Sequence, residues 1–214
     1  MIKKTLRVAM LTAVLSLPLA VSAQDCCKQN NEAASQKNPV IEAILSRRSI
    51  RKYLDKQVEH EKLEQLARCG IAAPNGMNQQ PWAVRVVENQ DFIKGTTEIF
   101  KKANPEQVKR DANFKNMYRN APNLIVVATP SGRGQIEAGL LGENIMLAAY
   151  SMGLGTCCLG GPVRFLQTNE NCKPYVKMLN LPEGYEICYI LAVGYPDEKP
   201  EAKPRDESKI EYIK

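Results

Sequence analysis

Residues 185–195, YEICYILAVGY, carry the strongest strand signal in the chain: β-branched, aromatic and aliphatic residues run together, with Gly184 before them and Pro196 after. Working outward, LIVVAT (124–129) is a second, shorter apolar run of the kind a buried strand needs. WAVRVV (82–87) alternates large apolar with mixed positions and reads as a third strand. Between the two apolar strands, IEAGLLGENIMLAAYSMGLG (136–155) is a long helix, apolar on most faces and so central to the fold. NPVIEAILSRR (38–48) starts a helix with Asn38 as cap and Pro39 in the first turn. VEHEKLEQLARCGIAA (58–73) forms another, with Leu63, Leu66, Ala67 and Ile71 as its inner stripe. Residues 91–119 read as helical but polar, anchored by Phe92, Ile93, Ile99, Phe100, Phe114 and Tyr118; a solvated helical pair and a mobile flap both fit. This order of elements is satisfied by one sheet covered by helices on both faces. The last 19 residues are rich in proline and charge and end in KIEYIK (209–214), which suits an edge strand or an arm laid on another subunit.

The composition, 44% hydrophobic and 24% charged over 214 residues, is that of one globular domain with a sizeable core. Residues 1–23 stand apart: MIKKTLR carries three cations, a short apolar run follows, and VSA ends on a small residue. This is the layout of a secretory leader cleaved near Ala23, which predicts an exported, periplasmic or secreted protein. The run is short and broken by Pro18, so no stable membrane span is expected. Residues 24–37 read as a flexible linker, leaving 38–214 as a single domain with an extended C-terminal arm. The leader holds Lys3, Lys4 and Arg7 and no acid, so 26 basic residues face 23 acidic ones in the remainder, a net +3. That balance does not call for nucleic acid. The seven cysteines lack CxxC spacing and His60 is the only histidine, so no metal site is expected.

Four stretches carry candidate chemistry, each with a plainer alternative. SRRSIRKY (46–53) places Arg47, Arg48, Arg51 and Lys52 within eight residues. Cations at a helix C-terminus complement its dipole, whereas forked arginines around a serine also suit a phosphate. KPR (203–205) can present Lys203 and Arg205 on one side of an extended backbone, or be an ordinary solvated tail. APNGMNQQPW (73–82) offers amides for the edge of a heterocycle, or a loop that caps itself. GLGTCCLGG (153–161) permits close backbone approach to a flat ligand, or simply ends a helix in a tight turn. It is neither a GxGxxG nor a Walker sequence.

In sequence, RRSIRKY, APNGMNQQPW, APNLIVVA, GLGTCCLGG, VGYP and KPR resemble the FMN-dependent nitroreductase family over roughly residues 39–205. The resemblance implies an α+β protein, an αβα sandwich with a mixed sheet, working as an intertwined homodimer with FMN at the interface. It implies that Arg47, Arg48 and Ser49 hold the phosphate and ribityl chain, with Arg51 near flavin N1. Pro74, Asn75, Gly76, Asn78 and Gln80 belong to the loop that reaches FMN, partly from the partner subunit. Leu159, Gly160 and Gly161 form the turn facing flavin N5, and Lys203 and Arg205 close on the phosphate. The implied activity is oxidoreduction with NADPH or NADH as donor and nitroaromatics, quinones or similar electron-poor acceptors, by a ping-pong scheme with no dedicated catalytic acid, base or metal. Some members carry a glutamate where this chain has Gly160. Phe114 and Tyr118 are expected in a lid. Cys157 and Cys158, in the turn expected to face the flavin, read either as packing behind the ring or, if nicotinamide is absent after export, as a thiol donor. Alternatives on the same scaffold are an electron-transfer module without small-molecule turnover and a reductive dehalogenase.

Overall fold

The computed structural model describes residues 38–214; the leader expected over 1–23 and the linker over 24–37 lie outside them. The chain forms α1 (Pro39–Ser46), α2 (His60–Ile71), β1 (Ala83–Val87), α3 (Gln90–Ala103), α4 (Pro105–Lys109), β2 (Asn123–Pro130), α5 (Gln135–Ser151), β3 (Gly155–Leu159), α6 (Gly161–Thr168), α7 (Lys173–Met178) and β4 (Tyr185–Gly194). The sheet has the order β1-β2-β4-β3, and each of its three pairings is antiparallel. One parallel contact, the bridge between Ser49 and Thr156, extends it past β3.

The two apolar strands of the sequence, β2 and β4, are its central pair, and their pleat sorts the core into two layers. Leu124 and Val126 of β2 and Ile190 and Ala192 of β4 face one side, with Phe92 of α3 and Leu166 of α6. Ile125, Val127, Leu191 and Val193 face the other, with Leu63 and Leu66 of α2 and Leu141 and Ile145 of α5. These side chains are almost wholly buried, and each of them larger than alanine is worth about 1.5–3 kcal/mol relative to exposure. The expected αβα sandwich is therefore present. Among the described residues no helix is long and apolar enough to cross a membrane.

Three expectations are corrected. GTCCL, read as part of a glycine-rich turn, is edge strand β3, paired with β4 from Gly155 opposite Gly194 to Leu159 opposite Ile190. The turn proper is confined to Gly160 and Gly161 at the start of α6. Residues 91–119 are not helical throughout: α3 ends at Ala103, Pro105 lacks the N–H that would continue it, and after α4 the chain follows turns. KIEYIK adds no strand; residues 209–214 are exposed beyond a short 3-10 turn at Glu207–Lys209.

Candidate functional site

The segment after α1 is threaded along the edge of the sheet. The Ile50 N–H donates to the Thr156 carbonyl at 2.9 Å, and the Leu54 N–H to that of Tyr195 at 2.9 Å. So close an approach needs Gly155: a Cβ there would meet Ile50 at 2.7 Å. The threading puts Arg51 and Tyr53 beside the end of β3. Tyr53 is buried, its hydroxyl donates to the Ile50 carbonyl at 2.6 Å, and burial pushes its phenol pKa upward. The Arg51 N–H donates to Glu198 Oε1 at 2.5 Å, while its guanidinium turns to the Ser49 carbonyl at 3.3 Å.

A cleft of about 1550 Å³ opens here. One side is Arg51 and Tyr53 with Cys157, Leu159, Gly160 and Gly161; the other is the α3 end and the 111–120 loop. Among the described residues, apart from its chain neighbours and its own helix backbone, nothing lies within 4 Å of a Cβ built on Gly160 or Gly161, so tertiary packing does not account for either glycine. Phe100 and Phe114 stack at 6.0 Å and 14°, and Phe165 meets Phe100 edge-on at 5.1 Å, forming an aromatic wall.

Of the residues expected at the site, the cleft gathers Arg51, Leu159, Gly160 and Gly161. Arg48 caps α1, its guanidinium donating to the Leu45 and Arg47 carbonyls at 2.7 Å, so the helix-dipole reading accounts for it. Arg47 lies 3.4 Å from Glu143 of α5, an ion pair without hydrogen-bond geometry, and its buried Nε has no hydrogen-bond partner. Ser49 pairs with Thr156 at the sheet edge. Pro74, Asn75, Gly76, Asn78 and Gln80 do not line the cleft: Asn75 Oδ1 accepts the Gln80 N–H at 2.8 Å, and the loop closes on itself. Lys203 and Arg205 are exposed, Arg205 donating to the Lys203 carbonyl at 3.3 Å. Tyr118 is corrected from lid to core, fully buried with its hydroxyl 2.9 Å from that of Thr96. Phe114 does line the cleft. Arg119, Arg164 and the Phe100–Phe165 pair were missed, since their spacing in sequence carries no signal.

The strand pleat separates the two thiols, leaving Cys157 buried and Cys158 exposed. Burial raises the pKa of both; Arg51 and Arg119 pull Cys157 back only in part. Both remain protonated near neutral pH, which weighs against a thiol donor. His60 lies outside the cleft, paired with Glu88 at 2.8 Å. The cations Arg51, Arg119 and Arg164 and the aromatic surface suit a flat ring bearing an anionic group, in a cleft whose rim also carries Asp55, Asp111, Asp197 and Glu198.

The nitroreductase family model matches residues 44–195. A provisionally named NADH dehydrogenase/NAD(P)H nitroreductase of Archaeoglobus fulgidus is 31% identical over 167 residues, 74% of this chain and 87% of that one. Among solved structures, an FMN-dependent nitroreductase from Clostridium difficile superposes with TM-score 0.69 at 26% identity, covering 83% of this chain and 100% of that one. A nitroreductase with bound FMN from Desulfitobacterium hafniense gives 0.73 at 24%, covering 84% and 100%, and supports the fold. The relatives correct the expected location. Their names specify NAD(P)H, a donor maintained inside cells, so the periplasmic or secreted assignment is withdrawn.

Proposed function

The chain belongs to the nitroreductase family, and from that premise we propose that it is an FMN-dependent NAD(P)H oxidoreductase acting on nitroaromatic, quinone or similar electron-poor acceptors. The observation that carries this reading is the cleft beside β3, where Arg51 stands next to two glycines with open space above them. The residues fit FMN. The volume admits an isoalloxazine with a second flat molecule above it, and the buried Nε of Arg47, ion-paired with Glu143 but without a hydrogen bond, has the donor chemistry of a phosphate ligand. When bound, FMN supplies two-electron transfer between donor and acceptor.

The protein's contribution is position and charge. Arg51, which lines the cleft, would supply a cation to a flavin bound there, and a cation favours the reduced, more negative state over the oxidised one. The exposed backbone of Gly160 and Gly161 offers N–H groups to the ring edge without side-chain obstruction. The aromatic wall excludes water from one side. Arg47 and Ser49 hold the phosphate, joined by Lys203 and Arg205 when the arm closes. Residues 38–214 act as one FMN-binding domain that pairs as a homodimer, the 74–80 loop reaching the cleft of the partner subunit. Exposed Ile44 and Leu45 on α1 and Ile136 and Leu140 on α5 supply apolar surface for that interface.

The test is a visible spectrum of the purified protein loaded with FMN and desalted, followed anaerobically as NADPH or NADH is added. Retained flavin that bleaches and is reoxidised by a nitroaromatic is the expected result. Retained flavin that never bleaches would identify an electron-transfer module with another donor. A colourless protein would overturn the reading.

A further inference from the structure

Arg119 has backbone dihedral φ of +61°, in the left-handed region that bulky residues rarely adopt. The loop leaves it little choice. Asn120 Oδ1 accepts the N–H groups of Lys115 and Asn116 at 2.8 and 3.0 Å, and its amide donates to the Asn113 carbonyl at 2.8 Å. Asn116 Oδ1 accepts the Tyr118 N–H at 2.9 Å, and its amide donates to the Ala121 carbonyl at 3.1 Å. Tyr118, immediately before Arg119, is anchored in the core. Arg119 is therefore a cation fixed at the cleft by a locked backbone.

Its charge acts on the buried Cys157 and Tyr53 only at a distance, with no ion pair of its own. Among the described residues no carboxylate lies within ion-pair distance of Arg119, whereas Lys115, four residues earlier, is paired with Asp55 at 2.9 Å. Lys52 and Arg164 also line the cleft, but neither sits on strained backbone. Arg119 faces the cleft together with the stacked Phe100 and Phe114. A planar apolar surface and a guanidinium lining one cleft offer the recognition chemistry of an aromatic anion, the ring against the phenyl faces and the anionic group on the forked donors.

We propose that Arg119 selects the second substrate by its charge: the preferred acceptor is a flat aromatic molecule bearing a carboxylate or comparable anion, held by Arg119 against the Phe100–Phe114 wall. This rests on the flavoenzyme reading and narrows its substrate class.

The FMN-loaded protein is titrated with p-nitrobenzoate and with p-nitrobenzyl alcohol, matched in ring and differing in charge, and each dissociation constant is read from the perturbed flavin absorbance. The unaltered protein is expected to prefer the anion, with a preference that shrinks as salt rises. Arg119→Gln is expected to lower that preference about tenfold, and Arg119→Lys to restore part of it. An unaltered protein whose two constants are equal and insensitive to salt overturns the inference without any variant. So does Arg119→Gln weakening both ligands equally, or Arg164→Gln matching its effect. If Arg119→Gln instead slows bleaching by NADPH but not by NADH, the anion is the donor's phosphate and the acceptor assignment is overturned. Failure to retain FMN removes the flavoenzyme reading and this inference together; FMN retained without a charge preference removes this inference alone.

Discussion

A Cβ added at Gly155 would sit 2.7 Å from Cγ1 and 2.8 Å from Cβ of Ile50, atoms with no flexible end to move aside. Gly155→Ala is therefore expected to cost about 1–3 kcal/mol, read as a lower urea midpoint at unchanged slope. An unchanged midpoint would mean that residues 49–54 shift freely. Arg51 is carried by that segment, so a folded variant should also hold FMN less tightly. The glycines of GLGTCCLGG were legible as a feature, but not their division of labour: Gly155 admits a neighbouring backbone, while Gly160 and Gly161 open outward. Sequence shows that a side chain is missing; only the fold shows what stands in its place. The same limit hid the cysteines. Their adjacency suggested a joint role, yet strand alternation sends them to opposite faces, one buried and one exposed. With its pKa raised by burial, exposed Cys158 should react slowly with iodoacetamide at pH 7 and faster toward pH 10. Rapid alkylation at pH 7 would contradict that environment.

Helices and strands were read well where apolar residues ran densely, as in α5, β2 and β4; in α2 Leu63 and Leu66 of the expected inner stripe are buried, but Ile71, at the helix end, is exposed. They were read poorly over 90–120, where Pro105 and the asparagines after α4 set the path through local hydrogen bonds and leave no periodic trace. The entry to α2 is held in a similarly local way. Glu59, at its N-cap, has its carboxylate pKa lowered from 4.5 to about 2, first by the Tyr195 hydroxyl at 2.6 Å, then by its own backbone N–H, Lys56 and Lys62. Tyr195 follows β4 directly, so this cluster ties α2 to the end of a central strand. A carboxylate whose folded pKa is depressed contributes stability that is present above pH 4.5 and lost as pH falls toward 2. Glu59→Gln should thus melt below the unaltered protein at pH 6, with the gap closing between pH 4.5 and pH 2 and narrowing in high salt. A gap independent of pH would assign the loss to packing.

At the scale of the whole molecule, the sandwich was legible from the apolar runs, whereas the homodimer proposed above rests on the family resemblance. An apolar stripe on α1 or α5 looks the same in sequence whether it meets its own core or another chain. The structure leaves Ile44, Leu45, Ile136 and Leu140 exposed while Leu141 and Ile145 are buried. It also separates the expected site in two: Arg51 and the 159–161 turn line the cleft, whereas the 74–80 loop, Lys203 and Arg205 do not. Two perturbations distinguish the parts. Leu45→Glu buries a charge in the proposed interface, so it should shift sedimentation toward monomer at micromolar protein and weaken FMN and riboflavin alike. Lys203→Ala with Arg205→Ala should leave the dimer intact and reduce the preference for FMN over riboflavin by about tenfold or more, because those cations are assigned to the phosphate that riboflavin lacks. A dimer whose FMN-to-riboflavin preference survives the double substitution would leave the phosphate to Arg47 and Ser49. The arm would then serve only to cover its neighbour. A monomer that still retains FMN would show that one chain completes the site, and the exposed faces of α1 and α5 would need another partner.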